Sequence, residues 1–275
     1  MLISENETSS VVRLLEAAGK EILRIFYSPD DFGVNLKEDK SPVTRADLVS
    51  DSVIKAGLGK ITLGIPVFSE ETKDVSFDIR KKWNPLWILD PLDGTKEFIA
   101  RNEEFCISLA LIFDNKPFAG FIHHPVSGIT WFAVRGQGSY RLNGKKKVIL
   151  PVVTPKGAIR INISRNHHSS AEEAWINDIR TRHNVEKIIC GSAVKFCKIA
   201  EGYSDLYPKF GLINEWDIAA GHIILEETGG EIIELPDGKS PVYNKPDYHQ
   251  PPFIACGTRG KKIVKGKLLK NITES

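Results

Sequence analysis

The sequence predicts a mixed protein built in two coupled halves, an α+β half over residues 1–155 and an α/β half over residues 156–275. Three observations lead there. A composition of 41% hydrophobic, 9% aromatic and 26% charged residues is that of a globular chain with a large core, which excludes disordered, collagenous and disulfide-stapled classes. Helical periodicity near the amino terminus gives way to β-prone runs and turns between about residues 86 and 150. Beyond the proline-punctuated segment LPVVTPKG, residues 150–157, strand-like and helix-like runs alternate.

In chain order, Val12, Leu15, Ile22, Leu23 and Phe26 recur at near-helical spacing and predict an amphipathic helix over 9–27, with serine and threonine just upstream to cap it. A second helix is predicted over 46–60. Its glycines lead into IPVFSEE, a short strand that stops at Glu70 and Glu71. LWILD (86–90) reads as a buried strand, with FCISLALIF, PFAGFIHHP and TWFAVRGQGSY as further strands. The second half offers strand IRINIS, helix SSAEEAWINDIRTRH, strand EKIICG, helix SAVKFCKIAEG, a β segment DLYPKF and helix DIAAGHIILEETGG. The run RGKKIVKGKLLK (259–270), with six basic residues and no acidic one, reads as a solvated terminal face rather than a nucleic-acid contact.

The 37 basic residues nearly balance 35 acidic ones, a formal +2, so no overall field would hold a nucleic acid or an anionic bilayer. Binding is expected to be local, with a small molecule and no stable nucleic-acid partner. Four cysteines without a CxxC pair suit neither a zinc site nor a disulfide framework and fit a reducing cytoplasm. MLISENETSS does not read as a secretory signal, and CISLALIF is far shorter than the roughly 18 apolar residues that span a membrane.

The most informative stretch is LDPLDGTKEF, residues 89–98. Pro91 pushes Asp90 into an extended conformation, so Asp90 ends its strand with the carboxylate leaving the sheet. Asp93 and Gly94 then make a tight turn, and Thr95 caps a helix beginning at Lys96. Helix amides at that point favour a phosphate, whereas two carboxylates repel it. A hard divalent cation such as Mg²⁺ resolves the conflict, because it takes a few carboxylates and completes its shell with water and substrate phosphate. Taken alone, the motif also reads as a plain turn with a capping threonine. Glu70 supplies a third carboxylate, while Glu71 reads equally as a solvated turn residue. Asp217, before the apolar IAAGHIILEE, is either a helix N-cap or a fourth ligand.

The combination of SEE (69–71), DPLDGTKEF (90–98) and WDIAAGHIILEETGG (216–230) resembles the signatures of the inositol monophosphatase superfamily of Mg²⁺-dependent, lithium-sensitive phosphatases. DKSPVTRAD (39–47), GTKEF and GSAVKFCKIAEGYSDLYPKFGLINEWD (191–217) resemble its bacterial 3′(2′),5′-bisphosphate nucleotidase branch. The resemblance implies a layered αβαβα sandwich, as in fructose-1,6-bisphosphatases, and removal of the 3′-phosphate from adenosine 3′,5′-bisphosphate, a by-product of sulfate assimilation. It implies that Glu70, Asp90 and the carbonyl of Leu92 hold one Mg²⁺, that Asp90, Asp93 and Asp217 hold a second, and that Asp47 and Thr95 activate the attacking water. Glu70, Leu92, Asp93, Gly94, Thr95 and Asp217 would then face the substrate. Ser192, Lys195, Lys209 and His167 are the implied nucleotide contacts. Lys209 stands where arginine is common in the family, which keeps charge but loses bidentate geometry. Either of His167 and His168 could equally be a solvated loop residue, and His123 and His124 are expected to be packed or surface groups. An inositol or sugar monophosphatase would share every metal ligand without needing cations for a second phosphate. A non-enzymatic nucleotide- or RNA-binding module would tolerate loss of the ligands, all of which are present. Monomer and homodimer are both compatible with the sequence, as is a peripheral contact of the basic tail with the cytoplasmic face of the inner membrane, a contact known in the family.

Overall fold

The structure is a computed structural model that describes residues 2–30, 32–37, 41–165 and 169–273, with side chains through residue 265. The chain opens with helix α1 (Glu5–Phe26), which starts earlier than periodicity suggests because Ser4 and Glu7 close a capping box. Two short antiparallel strands, β1 (Asn35–Leu36) and β2 (Pro42–Val43), precede helix α2 (Arg45–Ile61). Seven strands then pair in chain order: β3 (Val67–Ser69), β4 (Leu86–Asp93), β5 (Cys106–Phe113), β6 (Lys116–His124), β7 (Ile129–Val134), β8 (Gly138–Asn143) and β9 (Lys146–Ile149). The β3–β4 pair is parallel and the others are antiparallel. Short helices α3 (Phe77–Arg80) and α4 (Thr95–Ile99) flank β4.

The second half begins with β10 (Ile159–Ile163), α5 (Ser170–Arg180), β11 (Val185–Ile189), α6 (Val194–Glu201) and β12 (Leu206–Lys209). Next come β13 (Ile213–Asn214), α7 (Glu215–Glu226), β14 (Glu231–Glu234), β15 (His249–Gln250), β16 (Phe253–Cys256) and α8 (Thr258–Thr273). Its sheet runs β11-β10-β12-β16-β14, and β13 pairs separately with β15.

The alternation of side chains along the strands sorts the core into three clusters, one for each packed boundary group. On β4, Trp87 and Leu89 face α1 and α2, among Val11, Leu15, Ile22 and Ile54. Leu86 and Ile88 face the opposite way, into a cluster shared with Phe196 of α6, Ile223 of α7, and Tyr207 and Phe253 of the second sheet. Beyond that sheet, Ile161, Leu206 and Ile254 pack against Ile176 of α5 and Val264 of α8. The layers therefore run helices, seven-stranded sheet, helices, five-stranded sheet, helices, the αβαβα order that the resemblance implied.

Two expectations are corrected here. The basic run 259–270 lies within α8 and is not merely a solvated face: Val264 is buried, and Lys261 and Lys265 pair with Glu231 at 2.8 and 3.3 Å. The second half is not purely alternating either, since after α7 the strands β14 and β16 join antiparallel to close one side of the sheet. Among the described residues, no helix is long and apolar enough to cross a membrane.

The middle helix layer packs tightly. A Cβ on Gly120 of β6 would come within 2.6 Å of the Ala220 carbonyl and 2.5 Å of Ile223 Cγ2 in α7. Gly120→Ala is expected to force strand and helix apart and lower unfolding free energy by about 1–3 kcal/mol. Urea denaturation checks this, with a lower midpoint at unchanged slope as the expected outcome.

Candidate active site

The site forms where the seven-stranded sheet meets the middle helices. Strand β4 continues past Pro91 to Asp93, with a bulge between Asp90 and Asp93, rather than ending at Asp90 as its sequence suggests. A bulge bends the strand and re-aims the side chains on either side of it. Ser50 of α2 holds the bulge by donating to the Pro91 carbonyl at 2.8 Å.

Asp90, Asp93 and Asp217 each offer an oxygen within 4.8 Å of the others, a grouping that could hold a metal ion. Each carboxylate also accepts one main-chain N–H. Leu92 donates to Asp90 at 3.0 Å, Ala193 to Asp93, and Asn214 to Asp217 at 2.7 Å. Asp217 is not the N-cap of α7: that residue is Asn214, and Asp217 is the third residue of the helix, its carboxylate reaching back to the Asn214 amide.

Burial pushes the Asp90 carboxyl well above its usual range, and repulsion from Glu70, Asp93 and Asp217 adds to the shift. Asp217 behaves alike, through burial and the nearby Asp93. Asp93 is pushed up to about 6 by burial, against the opposing pull of Lys195 and the Ala193 amide. Crowded buried acids either take up protons or gather cations.

Glu70 lines the same cleft, directly after β3, but stands outside the group of three. Its carboxylate receives Lys37 Nζ at 2.7 Å, and the same ammonium reaches Glu71 at 2.8 Å. Burial raises Glu71 to about 7 despite that partner, so Glu71 is no solvated turn residue. Sequence reasoning missed Lys37, for which the excess of clustered acid was the only available signal.

Thr95 is the first residue of α4 rather than its cap. Gly94 takes the cap position at φ 100°, a left-handed turn that only glycine adopts readily, and a Cβ there would approach the Glu104 carbonyl to 3.0 Å. The Thr95 hydroxyl lies 3.1 Å from Asp47 Oδ1 and 3.2 Å from the Leu92 carbonyl oxygen. Asp47 is buried in the first turn of α2, and its other oxygen accepts both the amide and the hydroxyl of Thr44, at 2.8 and 2.6 Å. Burial raises its carboxyl, while the Thr44 bonds oppose the shift.

Ser192, Lys195 and Lys209, three of the implied nucleotide contacts, line the same cleft of about 350 Å³. Ser192, in a left-handed conformation at φ 50°, sits in the turn between β11 and α6. Lys195 and Lys209 are both buried and line the cleft. Lys195 stands 5.1 Å from the Tyr207 ring, and Tyr207 and Asp93 favour its charged form against burial. Burial lowers Lys209, opposed by Glu172. His167 lies outside the described residues. His123 is packed, bonded to Thr130 at 2.8 Å.

The inositol monophosphatase family model matches residues 5–274. The chain belongs to the inositol monophosphatase family. Within it, the chain is similar to the 3′(2′),5′-bisphosphate nucleotidase CysQ of Escherichia coli K12, 37% identical over 81% of this chain and 88% of that protein. It is also similar to the CysQ nucleotidase of Aggregatibacter actinomycetemcomitans, 33% identical over 93% of this chain and 94% of that protein. The crystal structure of CysQ from Bacteroides thetaiotaomicron superposes with a TM-score of 0.85 at 36% identity, covering 94% of this chain and all of that one, 100%.

The raised acids predict how stability varies with pH. A carboxyl whose folded pKa is raised favours the protonated fold, so its contribution is present below the ordinary carboxylate range and is lost as pH rises through the folded value. For Asp93 near 6 and Glu71 near 7, metal-free protein is expected to lose stability as pH rises from about 4 to 7. A divalent cation should offset this, with a melting-temperature gain that is larger at pH 7.5 than at pH 5.5. Thermal unfolding in EDTA and in excess Mg²⁺ measures it, and a gain independent of pH would contradict the account.

Proposed function

We propose that the protein is a Mg²⁺-dependent 3′(2′),5′-bisphosphate nucleotidase of the cytoplasm that converts adenosine 3′,5′-bisphosphate to AMP and phosphate. The observation that carries this reading is one cleft with two chemistries, a trio of carboxylates, with Asp90 buried and Asp93 and Asp217 half-buried, and two buried lysines, Lys195 and Lys209. A substrate with one phosphate to be cleaved and another to be held satisfies both sets of groups. The similarity to CysQ nucleotidases over most of the chain supports it.

The donor set fits hard cations, being all oxygen, crowded and charge-rich. Asp90, Asp93 and Asp217, with Glu70 and the Leu92 carbonyl, would hold two Mg²⁺, which when bound neutralise the phosphoryl oxygens and supply Lewis-acid catalysis. Lys37 engages Glu70 through Oε1, and the second carboxylate oxygen is the one Glu70 would offer. The Thr95 hydroxyl donates to Asp47 and leaves its lone pairs to accept a hydrogen from the attacking water. The pair thereby orients that water in line with the ester bond, and Asp47 is the terminal proton acceptor. Ser192, Lys195 and Lys209 bind the second phosphate and orient the ribose, with lysine acting as a point charge. Asp47, Thr95 and the metal ligands serve any phosphate monoester, so selectivity rests on the two lysines.

The decisive test compares phosphate release from adenosine 3′,5′-bisphosphate and inositol 1-phosphate in Mg²⁺. A preference for the inositol ester would overturn the proposal and make the protein an inositol phosphatase. Asp93→Asn keeps the shape and the bond to the Ala193 amide but removes charge, so kcat/KM should fall roughly 10²- to 10³-fold in a protein whose circular dichroism is unchanged.

For selectivity, each of Lys195→Ala and Lys209→Ala should cost about 10- to 150-fold in kcat/KM on the bisphosphate, the worth of a charged hydrogen bond. Adenosine 3′-monophosphate has no second phosphate to lose. The ratio of kcat/KM values for the two substrates is therefore the quantity to follow, and a ratio unmoved in both variants would mean that these lysines do not read the second phosphate.

A further inference from the structure

Three turns that line the cleft meet at one residue that none of the motifs includes. Glu104 lies between α4 and β5, and its Oε2 accepts the Gly191 amide at 2.9 Å. The Arg165 guanidinium, which also lines the cleft, holds both carboxylate oxygens, with Nε donating to Oε2 at 3.1 Å and a terminal nitrogen to Oε1 at 2.8 Å. The backbone at Glu104 is equally committed. A Cβ on Gly94 would come within 3.0 Å of its carbonyl, and a Cβ on Gly191 within 2.8 Å of that same oxygen. The turn after β4, the turn after β10 and the turn after β11 thus all bear on Glu104.

The turn after β11 needs such support. Ser192 holds a left-handed backbone at φ 50°, which is strained for a non-glycine residue and persists only where the surroundings over-determine it. Its neighbours provide that constraint from both sides: Gly191 is fastened to Glu104, and Ala193 donates to Asp93.

We propose that Glu104 is a positioning residue for substrate, its carboxylate fixing the Gly191–Ala193 turn and drawing Arg165 against it, so that Ser192 and Lys195 are held ready for the non-reacting phosphate. The inference rests on the assignment of that turn and Lys195 to the second phosphate. Arg165 acts through Glu104 rather than on the ligand, because its donors on that side are already spent in a two-point pair with the carboxylate.

AMP, which carries only the 5′-phosphate, is the direct probe, with calorimetric binding as a readout independent of turnover. Glu104→Ala loses both attachments and should weaken AMP binding about 10-fold, raising KM for the bisphosphate by more than it lowers kcat. Glu104→Gln keeps an acceptor for the Gly191 amide and should recover part of that loss. Arg165→Ala should weaken AMP binding less than Glu104→Ala, and the double variant no more than Glu104→Ala alone. Wild-type AMP affinity in Glu104→Ala overturns the proposal, as does an Arg165→Ala defect that adds in full to it, which would put Arg165 on the phosphate itself. If Glu104→Ala does not fold, Glu104→Gln and Arg165→Ala decide, with unchanged AMP affinity in both counting against. A wild-type protein that neither binds AMP nor cleaves the bisphosphate would instead refute the nucleotidase assignment.

Discussion

Repulsion among Asp90, Asp93 and Asp217 is the constraint around which the molecule is arranged. Three acids with oxygens within 4.8 Å, Asp90 buried and the other two half-buried, push one another apart, and each carboxyl is raised toward its protonated form. What holds them is main chain. One amide from Leu92, one from Ala193 and one from Asn214 each fix a carboxylate oxygen, and a backbone donor embedded in a sheet end or helix start has almost no freedom to retreat. The three donors belong to β4, to the turn before α6 and to the start of α7. The cluster exists only when the seven-stranded sheet, the middle helices and the crossover of the second sheet are all in register.

That requirement explains the character of α7. Most surface helices carry an apolar stripe and a polar face, but Trp216, Ile218, Ala219, Ile223 and Leu225 make this one apolar on nearly every side. A helix squeezed between two sheets has no wet face to offer. Its start is fixed independently at several points: Ser108 of β5 donates to the Trp216 carbonyl at 2.9 Å, and the Glu215 amide donates to the Tyr248 carbonyl at 2.9 Å. The Glu215 carboxylate in turn accepts the amides of Asn244 and Lys245, at 2.7 and 3.1 Å. Asp217 is thus carried on a helix that is buried along nearly its whole length, with the precision that this burial brings.

Much of this was legible in the chain because its signals are local. The proline after Asp90, the glycine after Asp93, the acids after β3 and the apolar run after Asp217 each act within a few residues, and the helices and strands around them fell where periodicity indicated. Thr95 was misjudged as a cap because a threonine before a helix is the commoner device. The structure uses Gly94 at φ 100° and so leaves the threonine hydroxyl for Asp47. Lys37 and Glu104 escaped notice for a different reason. Lys37 meets Glu70 across 33 positions, and Glu104 meets Gly191 across 87, separations at which one sequence carries no pattern. The late strands β14 and β16 are only four residues each, too short for either period to register.

The distribution of lysines around the cleft now has a physical logic. Lys37 lies between two carboxylates and is held strongly in its charged form: burial opposes the charge, and Glu70 and Glu71 outweigh it. It behaves as an internal counter-ion for the acids. An ammonium that bridges two carboxylates is largely neutralised by them. Lys195 and Lys209 line the same cleft and are buried too, but the two differ: burial opposes the Lys195 charge and Tyr207 and Asp93 outweigh it, whereas burial lowers Lys209 despite Glu172. The same residue type is therefore used in two settings around one cleft: a lysine that balances Glu70 and Glu71, and two buried lysines in a lining shared with Asp90, Asp93 and Asp217. A lining that mixes clustered carboxylates with buried ammoniums suits a ligand that carries anionic groups and arrives with cations.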